Sequence, residues 1–214
     1  MKKIIKDIGL YFIIDGAFTK DFVSMTKLAV NAGLKIIQYR DKNVEISKML
    51  KNAIKIRELT EKSDTIFIVN DNVEVALKSN ADGVHIGQKD EKFENVRKLV
   101  PDKIIGLSTE NIEQSLIAER IGADYLGVGP IFSTPTKLDA ASPIGVKKLV
   151  EIVKATTIPI VAIGGIHLEN LENVLETGVN GVAIISAILA TRNPEEEVKK
   201  INSIIKRFRE RNPL

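Results

Sequence analysis

The sequence predicts an α/β protein: a (β/α)8 TIM barrel, one domain over residues 1–214. Three observations point there. Eight apolar runs are each followed by a segment whose apolar residues recur at helical spacing. The runs are near-continuous in β-branched residues rather than alternating, as strands buried on both faces of a parallel sheet are. No linker, low-complexity segment, exact repeat or shift in composition divides the 214 residues, which is the compact end of the range for eight βα units. A doubly wound open sheet normally reaches this length with fewer units and a glycine-rich first turn. Here Asp15-Gly16-Ala17 follows the first run, without a G-x-G-x-x-G pattern.

Taken in order, residues 10–15 are the first strand, and Phe22, Met25, Leu28 and Ala29 mark a helix stopped by Gly33. The second strand is 34–40, followed by a helix through Ile46, Met49, Leu50 and Ala53. The third is 65–70, with a short helix carrying Val73 and Leu77. The fourth is 83–87, and its helix, with Phe93 and Val96, is closed off by Pro101. The fifth is 104–108, with Ile112, Leu116 and Ala118 on a helix ending near Gly122. The sixth is 125–129, with a helix over 145–154. The seventh is 158–163, followed by Leu168, Leu171, Val174 and Leu175 up to Gly178. The eighth is 181–186, and Val198, Ile201, Ile205 and Phe208 mark the last helix.

Composition narrows the function classes. Hydrophobic residues make up 44%, aromatics only 5%, and tryptophan is absent, so the core is aliphatic. Cysteine is absent too, which rules out disulfides and thiolate metal sites and fits a reducing, cytoplasmic setting. The net charge is +3, from 31 basic and 28 acidic residues, interspersed except for a basic beginning (Lys2, Lys3, Lys6) and a basic end over 206–211. Neither a nucleic-acid partner nor a membrane surface is expected from that distribution. No run approaches the roughly 20 apolar residues of a membrane span, and the first residues lack the sustained apolar run of a signal peptide. A homo-oligomer is compatible with all of this.

In such a barrel the carboxyl ends of the strands share one rim, where chemistry is placed. The rim gathers Gln38 to Lys42 after the second strand, Asn70 and Asp71 after the third, and His85, Gln88 and Asp90 around the fourth. Ser108 and Thr109 end the fifth strand, Gly164 and Gly165 the seventh, Ile185 and Ser186 the eighth. After the sixth comes Pro130-Ile131-Phe132-Ser133-Thr134-Pro135-Thr136-Lys137, a loop of hydroxyls, prolines and a lysine. Gly127 and Gly129 before it would let a ligand approach the backbone. Three cations (Arg40, Lys42, Lys137) together with two carboxylates (Asp71, Asp90) suit Mg2+ bridging a polyphosphate. Gly165 and Ser186 lie where barrels often bind a monophosphate on backbone N–H groups. The sequence thus predicts two anion sites, with residues 134–137 between them.

Five motifs in order give the chain a family resemblance: Gln38-x-Arg40-x-Lys42, Val69-Asn70-Asp71, the eight residues from Ala81 to Gln88, Gly129-Pro130-Ile131-Phe132-x-Thr134-x-Thr136-Lys137, and Ala162-Ile163-Gly164-Gly165-Ile166. From about Tyr11 to Ile188 the chain resembles the thiamine phosphate synthase family. The resemblance implies an alkyl transferase joining a hydroxymethylpyrimidine diphosphate to a hydroxyethylthiazole phosphate, with release of pyrophosphate. By position it implies that Gln38, Tyr39, Arg40, Asp41, Lys42 and Asn70 form the pyrimidine diphosphate site and that Asp71 and Asp90 hold Mg2+. Ser108 and Lys137 contact the leaving pyrophosphate; Thr134, Pro135, Thr136, Gly165, Ile185 and Ser186 hold the thiazole phosphate. Arg40, Lys42, Ser108 and Lys137 are the implied catalytic group. The implied mechanism is dissociative, with no protein nucleophile.

Asp41 stands where glutamate is common in that family and is expected to face away from the ligand. Ser108 is not followed by the family's frequent histidine. His85 lies inside a strand, where a hydrogen bond in the core is one reading and a direct role the other. His167 is expected to be a helix-start residue. The alternatives are a thiazole tautomerase of the same fold, a non-catalytic regulatory paralogue, and another phosphate-binding barrel. The joint presence of Arg40, Lys42, Asp71, Asp90 and Lys137 argues against each.

Overall fold

The computed structural model describes residues 7–42, 44–134, 136 and 142–212. Eight parallel strands close into a barrel in sequence order: β1 (Gly9–Asp15), β2 (Ile36–Arg40), β3 (Ile66–Asn70), β4 (Gly83–Ile86), β5 (Ile104–Thr109), β6 (Tyr125–Val128), β7 (Ile160–Ile163) and β8 (Gly181–Ile184). Helices intervene: α1 (Phe22–Asn31), α2 (Ile46–Thr60), α3 (Val73–Lys78), α4 (Phe93–Leu99), α5 (Ile112–Arg120), α6 (Gly145–Ala155) and α7 (Leu171–Leu175). A four-residue helix, α8 (Ser186–Leu189), precedes the terminal α9 (Pro194–Arg211). The predicted barrel is the observed one. Strands β2 and β7 begin two residues later than expected, and Ser186 opens α8 instead of ending β8.

Alternation along each strand divides the apolar residues into two bodies. Tyr11, Ile13, Ile36, Ile66, Ile68, Ile104, Tyr125, Val161 and Ala183 point inward and fill the barrel. Leu10, Phe12, Ile14, Ile37, Tyr39, Phe67, Val69 and their equivalents point outward and pack against the helices. Four helices start where an Asp or Asn side chain accepts an amide of the first turn: Asp21 from Ser24, Asn72 from Val75, Asn111 from Gln114 and Asn193 from Glu196. Gly33, at φ 67°, turns the chain out of α1 in the left-handed region that β-carbons disfavour.

The amino-terminal rim carries a repeated device. Asp82 accepts the Phe67 amide, Asp124 the Ile105 amide and Asn180 the Ile160 amide, each at 2.9 Å. A polar residue just before an even strand thus satisfies an amide in the first two residues of the preceding odd strand. Arg57 pairs with Asp82 and Arg97 with Asp124. This end of the barrel is devoted to stability, which leaves the other for chemistry. Among the described residues, no helix is long and apolar enough to cross a membrane.

Candidate active site

Because the period is two, the inward positions at the carboxyl end of each strand converge on one cavity. Gln38, Arg40, Lys42, Asn70, Asp71, Asp90, Ser108, Thr134, Thr136, Gly165, Ile185 and Ser186 all line it. The two predicted anion sites are therefore opposite walls of one pocket. Pro135 and Lys137 lie outside the described residues.

On the β2–β4 wall, strand register places Asp15 opposite Arg40. The Arg40 guanidinium is ion-paired with the Asp15 carboxylate, which is 1% exposed and also accepts the Ala17 amide at 2.8 Å. Asp15 was not among the expected site residues; a carboxylate closing the first apolar run was the available signal, and its level with Arg40 is set by the strand register. Lys42 reaches Asp71 at 2.9 Å. Asp71 lies between the end of β3 and the cap of α3 with φ at 59°, an uncommon conformation for a residue other than glycine, though one that Asp tolerates. Its amide donates to the His85 carbonyl at 2.8 Å. Asp90 is held by the turn after β4, where its carboxylate accepts the Gly87 amide at 2.7 Å. Burial pushes the Asp71 carboxyl up, and a shared hydrogen bond with Asp90 pushes it further, while Lys42 opposes both. Two crowded carboxyls, partly withdrawn from water, are a hard-oxygen donor pair that a divalent cation relieves. Among the described residues no three His, Asp or Glu gather as a complete metal cage. The donor set fits Mg2+, which typically takes one or two carboxylates and completes its shell with waters and substrate phosphate oxygens.

Across the cavity, Gly164 and Gly165 have φ of 99° and 65°. A β-carbon on Gly165 would lie 2.6 Å from the Ser133 carbonyl oxygen, so this glycine is also needed for the loop after β6 to pack against β7. The Thr136 hydroxyl donates to the Ser186 hydroxyl at 3.2 Å, which ties that loop to the start of α8.

Two expectations are corrected. Tyr39 is fully buried on the outside of the sheet, its ring edge-on to Phe22 and its hydroxyl accepting from Asn52 at 3.2 Å. Its side chain does not line the cavity, because it alternates with Gln38 and Arg40. Asp41, included with the pyrimidine-site residues but expected to face away, is buried against Gly16 with Lys20 at 3.8 Å; it braces the β1 loop. Gly127 and Gly129 both line the cavity, and each also makes room for a neighbour. A β-carbon on Gly127 would meet His85 at 2.9 Å, and one on Gly129 would strike the Ile163 carbonyl.

Sequence reasoning also missed Tyr11, Tyr125 and Glu110, which line the pocket. The two tyrosines occupy interior strand positions that read only as core. His85 is part-buried and hydrogen-bonds to Tyr125 and Ser108 at 2.9 Å each, and it also lines the cavity. His167 is half-exposed before α7, with its amide donated to Asn170.

Comparison with known proteins gives three findings. A family model described as thiamine monophosphate synthase matches residues 10–188. A thiamine-phosphate synthase of Methanosarcina barkeri is 42% identical over 96% of this chain and 94% of its own length. One of Archaeoglobus fulgidus is 41% identical over 98% and 99%. Among solved structures, thiamine phosphate pyrophosphorylase from Pyrococcus furiosus superposes with a TM-score of 0.89 at 37% identity, covering 96% of this chain and 99% of that one. The 3-hexulose-6-phosphate synthase of Salmonella typhimurium, at 18% identity and a TM-score of 0.74, shares the fold alone.

Proposed function

We propose, on the premise that this chain belongs to the thiamine monophosphate synthase family, that its cavity joins a hydroxymethylpyrimidine diphosphate to a hydroxyethylthiazole phosphate, giving thiamine phosphate and pyrophosphate. The observation that carries this reading is the gathering of Arg40, Lys42, Asp71 and Asp90 on one wall of the pocket whose other wall holds Thr134, Thr136, Gly165 and Ser186. A diphosphate needs the first wall and a monophosphate fits the second.

The bond that breaks joins the pyrimidine methylene carbon to the diphosphate oxygen, and its electron pair leaves with pyrophosphate. The electron-rich aminopyrimidine delocalises the resulting cation. The thiazole nitrogen lone pair then forms the new carbon–nitrogen bond. No protein atom is attacked and no proton need leave carbon. The chain's task is electrostatic and positional, and preorganised charge is usually the largest contribution to such a barrier reduction.

Arg40, ion-paired with Asp15, and Lys42, ion-paired with Asp71, present positive charge to the departing diphosphate. The Ser108 hydroxyl adds a hydrogen bond, and Lys137 is assigned to the same group. Asp71 and Asp90 would hold Mg2+, which would supply further charge neutralisation to the leaving group. Asn70 and Gln38 orient the pyrimidine. Ile13, Val161, Ile163 and Ala183 line the floor and keep water from the cation, which water would otherwise convert to an alcohol.

The test is to incubate the purified chain with both substrates, with and without Mg2+, and to measure pyrophosphate. Release that requires both substrates and Mg2+ is the expected result. No release, with isomerisation of the thiazole phosphate instead, would transfer the chain to the tautomerase reading.

A further inference from the structure

Among the described residues, one line of polar groups crosses the apolar barrel interior below the anion sites. Gln38 Nε2 donates to the Tyr11 hydroxyl at 2.8 Å. Tyr11 and Tyr125 hydroxyls are 2.8 Å apart. The Tyr125 hydroxyl lies 2.9 Å from His85 Nδ1, and His85 Nε2 lies 2.9 Å from Ser108 Oγ. The line therefore begins at a residue assigned to the pyrimidine ring and ends at one assigned to the leaving group.

Its construction goes beyond filling space. Gly106 has no β-carbon where one would strike the Tyr125 ring, and Gly127 has none where one would press on the His85 ring. Two strand positions are thus emptied to admit these two side chains. Both phenols are almost fully buried among Ile13, Ile36, Ile68 and Ile104, where phenylalanine would pack without the cost of burying a hydroxyl. Burial also pushes both phenols well up, so each keeps its proton.

With each hydroxyl of the line donating once and accepting once, one link sets the direction of the next. The Gln38 amide nitrogen can only donate to Tyr11. The Tyr11 proton is then given to Tyr125, and the Tyr125 proton to His85 Nδ1. A neutral imidazole that accepts there at Nδ1 carries its proton on Nε2 and donates it to Ser108 Oγ. Ser108 must direct its own proton elsewhere, and its side chain lines the cavity. At the other end the Gln38 carbonyl oxygen is the acceptor left for the cavity. Reversing any one link reverses both ends: Gln38 would then present N–H groups, and Ser108 a lone pair.

We infer that Tyr11 and Tyr125 are positioning residues that transmit one hydrogen-bond polarity from Gln38 through His85 to Ser108, so that the pyrimidine's amino group is read by a carbonyl while the leaving diphosphate receives a proton donor. This deepens the proposed synthase reaction and rests on it for the identity of the two ligands. Recognition of the correct ring and stabilisation of its leaving group become parts of one device. A pyrimidine bearing an oxo group in place of the amine meets a carbonyl at Gln38. It can be accommodated only by reversing the chain, which turns the Ser108 lone pair toward the diphosphate.

Two measurements test this. The chain has only two histidines, so nitrogen-15 spectra of the wild-type protein resolve His85 against half-exposed His167. The expected neutral tautomer of His85 carries its proton on Nε2; a proton on Nδ1 overturns the inference. This readout uses no substrate, so it stays separate from the synthase assay: loss of pyrophosphate release would defeat the reaction, and the wrong tautomer would defeat the chain. Second, Tyr11→Phe frees the Gln38 amide to turn. The kcat/KM preference for the aminopyrimidine diphosphate over its oxo analogue is expected to fall about tenfold, with KM for the thiazole phosphate within about twofold of wild type. In Tyr125→Phe the effect of Ser108→Ala on kcat is expected to shrink, because the two act through one chain. An unchanged preference in folded Tyr11→Phe, or full additivity of Tyr125→Phe with Ser108→Ala, overturns the inference.

Discussion

Arg40 and Asp15 occupy matched positions on β2 and β1 and meet as an ion pair whose acidic partner is sealed from solvent. The carboxylate is therefore a fixed brace, and the guanidinium it holds is the part that faces the cavity. Asp15→Asn keeps the shape but removes the charge. KM for the pyrimidine diphosphate is expected to rise about tenfold or more, the weight of one charge-assisted hydrogen bond. KM for the thiazole phosphate, bound on the opposite wall, should stay within about twofold. Steady-state kinetics with each substrate varied in turn checks both.

Asp71 and Asp90 make a second prediction. Asp71→Asn with Asp90→Asn removes the hard anionic donors without changing side-chain volume. Turnover is expected to fall by about a hundredfold or more, while circular dichroism and the melting temperature remain near wild type. Unimpaired turnover in the double variant would contradict the metal assignment.

The two interior glycines separate packing from positioning. At Gly106 a β-carbon would lie 2.1 Å from the Tyr125 ring, which is almost fully buried. Gly106→Ala is expected to cost about 1–3 kcal/mol by overpacking, read as a lower denaturant midpoint. At Gly127 the added carbon would meet only the edge of the His85 ring at 2.9 Å. Gly127→Ala is expected to fold and to lose kcat, because the ring that supports Ser108 is displaced.

A fourth prediction concerns the stability end of the barrel. Glu119, on α5, accepts the Thr157 hydroxyl at 2.6 Å, the Thr157 amide at 2.8 Å and the Ile158 amide at 3.2 Å. These bonds, led by those from Thr157, hold its carboxyl below the usual glutamate range. A carboxyl depressed in the folded state stabilises fully above its unfolded value and loses that contribution as pH falls through its folded value. Glu119→Gln is expected to cost about 0.5–1 kcal/mol at neutral pH, allowing for its exposure. The gap to wild type should close in acid, below the ordinary glutamate pKa. Denaturant titrations at several pH values measure it, and catalysis should be unaffected.

The sequence made the barrel readable because eight β-branched runs, each followed by helical spacing, leave few other architectures. Strand ends were less readable. Ile158 and Leu34 look like strand residues, yet pairing begins at Ile160 and Ile36, since a run buried on both faces offers no alternation to mark where the ladder starts. The four-residue α8 was hidden for a related reason: it follows an apolar strand directly, and one turn of helix shows no periodicity. In the site, motif residues were named correctly as neighbours in sequence, but the motif Gln38 to Lys42 does not state its faces. Alternation alone sends Tyr39 and Asp41 away from the cavity. Pairs such as Arg40 with Asp15 and Tyr125 with His85 depend on how adjacent strands are staggered, which only the folded chain displays.

The central claim is that Arg40, Lys42, Asp71 and Asp90 together receive the departing diphosphate. A crystal structure with pyrophosphate and Mg2+ tests it most directly. The account predicts pyrophosphate within hydrogen-bonding distance of Arg40 and Lys42, with the metal bridging it to Asp71 and Asp90. Pyrophosphate bound against Gly165 and Ser186 alone, with the aspartate pair free of metal, would contradict it.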